Sequence, residues 1–151
     1  MFKQFDHEGG IHTPMIAHWP QQIANAGQVA KQTTHLIDIM PTVLQATGAP
    51  LASTIDGKPR IEMDGMSLLP ALRGQPQTGH EELYFSHARG KALRCGEWKL
   101  VRQDKQAWEL YNIGSDPNEL RNLADRLPEK LAELQAKWNQ WQKHQSERSK
   151  L

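Results

Sequence analysis

The sequence predicts an α+β fold: a small antiparallel sheet of about four strands packed by a C-terminal helix, preceded by a strand, a loop and a helix. Three observations predict it. Apolar runs at 82–87, 91–102 and 107–113 follow one another with only short polar or glycine-bearing links, and strands joined so closely pair antiparallel. Pro128 opens a stretch in which Leu131, Leu134, Trp138 and Trp141 recur on one helical face. Upstream, Gly9-Gly10 leads into an apolar stretch closed by Trp19-Pro20, and Asp38 to Gly48 carries the start and stop signals of a helix.

In chain order, 11–19 reads as a buried strand delivered by the glycine pair, with Pro20 as its stop. A polar cluster carried by a glycine turn onto a core strand is a common way to place groups at a site. Residues 21–31 are polar, broken by Gly27, and read as a surface loop. In the next helix Asp38 is the expected N-cap, Pro41 fits the first turn, and Ile39, Val43 and Leu44 form an apolar face. Residues 49–79, rich in Pro and Gly, form a long ordered loop that includes a short helical piece with Leu68, Leu69 and Leu72 inward. The run 91–102 is interrupted by Gly96 and is expected to be two strands of a hairpin. Asp116, Pro117 and Glu119 carry the marks of a capping box and predict a helix starting there. The stripe from Leu131 to Trp141 should cover one side of the sheet.

With 151 residues the chain holds one core, or one core and part of another. Its 18 Lys+Arg against 17 Asp+Glu create no bulk field toward nucleic acid or an anionic membrane surface. A single cysteine excludes an internal disulfide framework and a multi-cysteine metal site. No apolar run approaches a membrane span, and no signal-peptide pattern opens the sequence.

Several motifs, in order, resemble the late segment of the sulfatase family, in particular its arylsulfatase branch within the alkaline-phosphatase-like superfamily. They are Lys3 with Glu8-Gly9-Gly10 and Ile11-His12-Thr13-Pro14, then Ile37-Asp38-Ile39-Met40-Pro41-Thr42 and Asp64-Gly65-Met66-Ser67-Leu68. Leu110-Tyr111-Asn112, Asp116-Pro117-Asn118-Glu119 and Asn122-Leu123 complete the set, with Asn112 where relatives usually carry Asp. The resemblance implies that residues 1–75 are the C-terminal end of an α/β catalytic domain plus a bridging loop, and that 76–151 are a small C-terminal subdomain. It implies a sulfuric ester hydrolase whose nucleophile is a formylglycine made from a Cys/Ser-x-Pro-x-Arg motif. Its divalent cation, usually calcium, would be held by Asp and Asn oxygens, a set suited to a hard ion.

Cys95 lies in Arg-Cys-Gly-Glu-Trp and does not match the formylglycine motif. No cofactor or metal is therefore expected in this chain, which is expected to be inactive alone. Lys3 corresponds to the family lysine that contacts the substrate sulfate, a compact charge suited to a developing anion. His7, Glu8 and His12 stand beside it as candidate supporting residues. The implied partners are the missing N-terminal catalytic domain and a sulfate-ester substrate, with neither nucleic acid nor membrane. Strand edges left open by the missing domain would favour a dimer. The resemblance suggests a periplasmic or secreted protein. The alternative is a free-standing, non-catalytic module that binds a glycan or a protein through an exposed sheet face.

Overall fold

The structure, a computed structural model, describes residues 4–24 and 26–149. Its elements are α1 (Glu8–Ile11), a 3-10 turn (Leu36–Asp38), α2 (Ile39–Thr47), β1 (Thr54–Ile55), β2 (Lys58–Pro59) and α3 (Leu69–Leu72). They continue with β3 (Glu82–His87), β4 (Gly90–Cys95), β5 (Trp98–Gln103), β6 (Glu109–Asn112) and α4 (Pro128–Arg148). The chain divides into two compact units, one of residues up to 15 together with those from 81 onward, the other of residues 16–80.

In the first unit β3-β4-β5-β6 form an antiparallel meander in sequence order. Its tight turns follow from backbone chemistry. Cys95 pairs with Trp98 across a two-residue loop, and Gly96 takes the left-handed φ of +57° that such a loop needs. The expected four-stranded sheet, with 91–102 split into two strands, is what forms. Strand alternation sends Leu93, Leu100 and Leu110 to one face, where they pack fully buried with Leu134 and Trp138 of α4. Each such leucine contributes about 1.5–3 kcal/mol by leaving water.

Trp138 lies at the centre, with ring centroids of Tyr84, Trp108 and Trp141 at 6.1, 5.8 and 5.0 Å, and Tyr84 stacks on Trp141 at 4.8 Å. Lys137 ties the same helix to β3 through Glu82 at 2.5 Å. Burial alone would raise the Glu82 carboxyl, but hydrogen bonds from Lys137 and Tyr84 outweigh it and hold the group below its ordinary value. The opposite face presents Ala92, Val101, Tyr111 and Ile113. The outer edge of β6 is closed by 122–123: Leu123 N donates to Leu110 O at 2.7 Å, and Leu110 N to Asn122 Oδ1 at 3.0 Å.

The second unit is held by Asp38, which is wholly buried. Its carboxylate accepts from His35 N at 2.8 Å, Met66 N at 2.9 Å and His80 Nε2 at 2.7 Å. Gly65 lies so close to Ile37 that a Cβ there would sit 2.1 Å from the Ile37 carbonyl oxygen, so only glycine lets the two backbones meet. β1 and β2 form a small hairpin whose turn, Asp56-Gly57, has φ of +51° and +76°, the pattern of a type I′ loop.

Three sequence expectations need correction. Residues 12–19 form no strand: α1 ends at Ile11, and Met15 and Ile16 are 49% and 94% exposed. A strand exists through its neighbours' hydrogen bonds, and no other described segment pairs with this one. Asp38 does not cap α2 with its side chain; it closes the preceding 3-10 turn and gathers donors from distant loops. The apolar face expected on α2 is present and lies open, with Ile39, Met40 and Val43 41–60% exposed. No helix begins at Asp116, whose carboxylate instead receives Leu120 N and Arg121 N at 2.9 and 2.8 Å. Those two hydrogen bonds hold the Asp116 carboxyl below its ordinary value, and Glu119 turns inward at a φ of +55°.

Candidate functional site

The far face of the sheet carries a buried charge, Lys99 of β5, with no exposed side-chain surface. It shares that face with Val101 by strand alternation. An ammonium this deep needs carboxylate partners, and two segments far away in sequence supply them. Lys99 Nζ lies 2.7 Å from Glu8 Oε1 and 3.0 Å from Glu119 Oε1. The second oxygen of Glu119 accepts the backbone N–H of Glu8 at 2.8 Å. That N–H opens α1, where the preceding residue, His7, makes no side-chain cap of its own, so Glu119 satisfies one of the orphan donors of the helix start.

A second contact lies beside it. His7 Nε2 meets Glu109 Oε2 at 2.8 Å, and Tyr111 OH donates to the same oxygen at 2.7 Å. Burial and that hydrogen bond push the Tyr111 phenol up, well above its ordinary range. Asp6, 2% exposed, lies against Gly90. Its carboxyl is raised by burial, although the His87 backbone N–H and nearby positive charge offset part of that. The consecutive residues Asp6, His7 and Glu8 thus fasten the segment 5–11 to the sheet through β4, β5, β6 and the 116–119 turn. Glu8, Gly9, His12, Pro117, Asn118 and Glu119 line a shallow groove of about 330 Å³ above the ion cluster.

Of the residues singled out in the sequence, His7 and Glu8 are brought into this cluster. His12 stays at its rim, its ring 75% exposed and its Nδ1 3.4 Å from Glu8 Oε2. Lys3 lies outside the described residues. Lys99, Glu109 and Glu119 were not anticipated. A signal for Lys99 was present, since it occupies an inward position of β5, two residues before Val101. Glu119 was hidden by its own motif, which reads as a helix start.

These carboxylates do not fit a divalent cation. Glu8 and Glu119 share the Lys99 ammonium and Glu109 is engaged by His7 and Tyr111; among the described residues no three His, Cys, Asp or Glu side chains converge to hold a metal. Cys95 faces α4, with Sγ 3.7 Å from Lys137 Nζ.

A meander packed by one long helix, with a peptide segment fastened to its far face by buried ions, is an α+β unit built to hold that segment. The chain belongs to the family described as N-sulphoglucosamine sulphohydrolase, C-terminal, whose model matches residues 1–147. It is similar to arylsulfatase K of Xenopus laevis, 27% identical over 145 residues, covering 90% of this chain and 27% of that protein. To human steryl-sulfatase it is 41% identical over 104 residues, covering 69% of this chain and 16% of that protein. A solved structure described as in complex with its substrate D-glucosamine-2-N,6-O-disulfate matches at 25% identity with a TM-score of 0.53, over 70% of this chain and 23% of that one. The chain therefore spans well under a third of the length of these relatives.

Proposed function

We propose that this chain is the C-terminal portion of an arylsulfatase-type sulfuric ester hydrolase, working with an N-terminal catalytic domain and inactive without it. In this reading residues 1–75 complete the catalytic domain, and 76–151 form the subdomain that supports it. Lys3 contacts the substrate sulfate, where its ammonium favours the charge that builds on the sulfuryl oxygens as the ester bond breaks. The nucleophile and any hard cation are supplied from outside this chain. The observation that carries the reading is the fastening of 5–11, the stretch bearing the family's Glu-Gly-Gly motif, to the sheet by Lys99, Glu8 and Glu119. The exposed Ile39, Met40 and Val43 of α2 favour a packed neighbour on that face, as adjacent exposed apolar side chains do.

The test is turnover of an aryl sulfate such as 4-nitrophenyl sulfate. The 151-residue chain alone is expected to show none above the blank. A longer in-frame product that also contains a Cys/Ser-x-Pro-x-Arg motif is expected to turn over. Activity from the chain alone would overturn its dependence on the catalytic domain, and an inactive longer product would overturn the hydrolase assignment.

A further inference from the structure

Two features of Glu119 and Lys99 exceed what stability requires. Glu119 holds a left-handed backbone at a φ of +55°, a conformation that a residue with a side chain adopts only when its surroundings impose it. Lys99 is a fully buried charge, and replacing a buried ion cluster with apolar side chains of similar volume is often neutral or stabilising. What the pair achieves is geometric. The turn it grips, Glu8–Ile11, is only four residues long and contains two glycines, too short and too poor in helix formers to persist unaided. Glu119 receives the first N–H of that turn, and Lys99 holds the Glu8 and Glu119 carboxylates together from below.

We propose that Lys99 and Glu119 are positioning residues for sulfate-ester hydrolysis: a helix cap supplied from across the molecule that sets the Glu8-Gly9-Gly10 turn, the stretch bearing the family's motif. The proposal rests on the hydrolase reading above. The cap itself is tested in this chain alone, so the two fail separately.

Amide exchange is measured on the chain and on Lys99→Met and Glu119→Gln. In Lys99→Met the amides of Gly10, Ile11 and His12, which donate to His7 O and Glu8 O, are expected to lose protection about a hundredfold, because two carboxylates are left facing each other. Glu119→Gln keeps an acceptor for Glu8 N and is expected to lose about tenfold. The amides of β4 and β5 should stay near the wild-type rate in Glu119→Gln. If Lys99→Met unfolds the sheet, Glu119→Gln decides on the same three amides. Unchanged exchange at 10–12 in Glu119→Gln overturns the cap.

The second arm uses the longer product on which the hydrolase reading is tested. Lys99→Met is expected to lower kcat/KM by about a hundredfold and Glu119→Gln by about tenfold, in both through kcat rather than KM. A wild-type kcat in Glu119→Gln, with exchange at 10–12 raised, would overturn the positioning role. A longer product without turnover sinks the hydrolase reading, while amide exchange still judges the cap.

Discussion

Trp138→Ala is expected to remove about 3–5 kcal/mol from the unfolding free energy, a large share of what a domain of this size has. Trp138 is 1% exposed and touches three other aromatic rings as well as the leucines of β4, β5 and β6. Truncation leaves a cavity bounded by a sheet and a helix, neither of which can collapse into it without losing its own hydrogen bonds. The indole Nε1 has no hydrogen-bond partner among the described residues, so the loss is one of packing. Trp138→Phe, which keeps most of the ring, should therefore cost less than half as much. Urea titrations of the three proteins by near-ultraviolet circular dichroism provide the check. Equal losses for the two variants would show that a polar contact, not volume, holds the helix on the sheet.

Asp38→Ala is expected to cost about 3 kcal/mol, confined to the unit of residues 16–80. The carboxylate is wholly buried and receives three donors; removing it leaves His35 N, Met66 N and His80 Nε2 without their acceptor. The adjoining chain of bonds, Thr42 Oγ1 to Asp38 O and Leu68 N to Thr42 Oγ1, depends on the same turn. Amide exchange at Met66 and Leu68 should accelerate about a hundredfold. Exchange in β3–β6 should not change, since those strands belong to the other compact unit. Equal acceleration in both units would show that they unfold as one.

The meander, its Gly96 turn and the Leu134–Trp138 stripe were legible in the sequence because each is set by neighbours within a few residues. Periodicity of two or of 3.6 and a required positive φ are local facts. The ion cluster was not legible for the opposite reason. Glu8, Lys99 and Glu119 are joined across 91 and 111 positions of sequence, and no pattern within a window announces such a meeting. Asp116-Pro117-Asn118-Glu119 shows how a local rule can mislead. Its residue types suit a capping box, yet the buried Lys99 ammonium needs a carboxylate more than the turn needs a helix, and Glu119 is the one drawn in. The absent strand at 12–19 has a similar cause, because an apolar run states a preference and only a neighbour can satisfy it.

The sequence separation of the fastening contacts also sets an order of events in time. β3 to β6 are joined by nearest-neighbour hairpins, and such local topology assembles early. The N-terminal segment must close a loop of about a hundred residues to reach Glu109 and Glu119, which places it late. Substitutions at Leu93 should therefore slow folding, whereas Glu8→Gln should mainly quicken unfolding, a contrast that stopped-flow chevrons resolve. On the ribosome the order is stark. At roughly 5–20 residues per second, Glu8 emerges many seconds before Lys99, Glu109 and Glu119 exist, so this segment must wait for the sheet that will hold it.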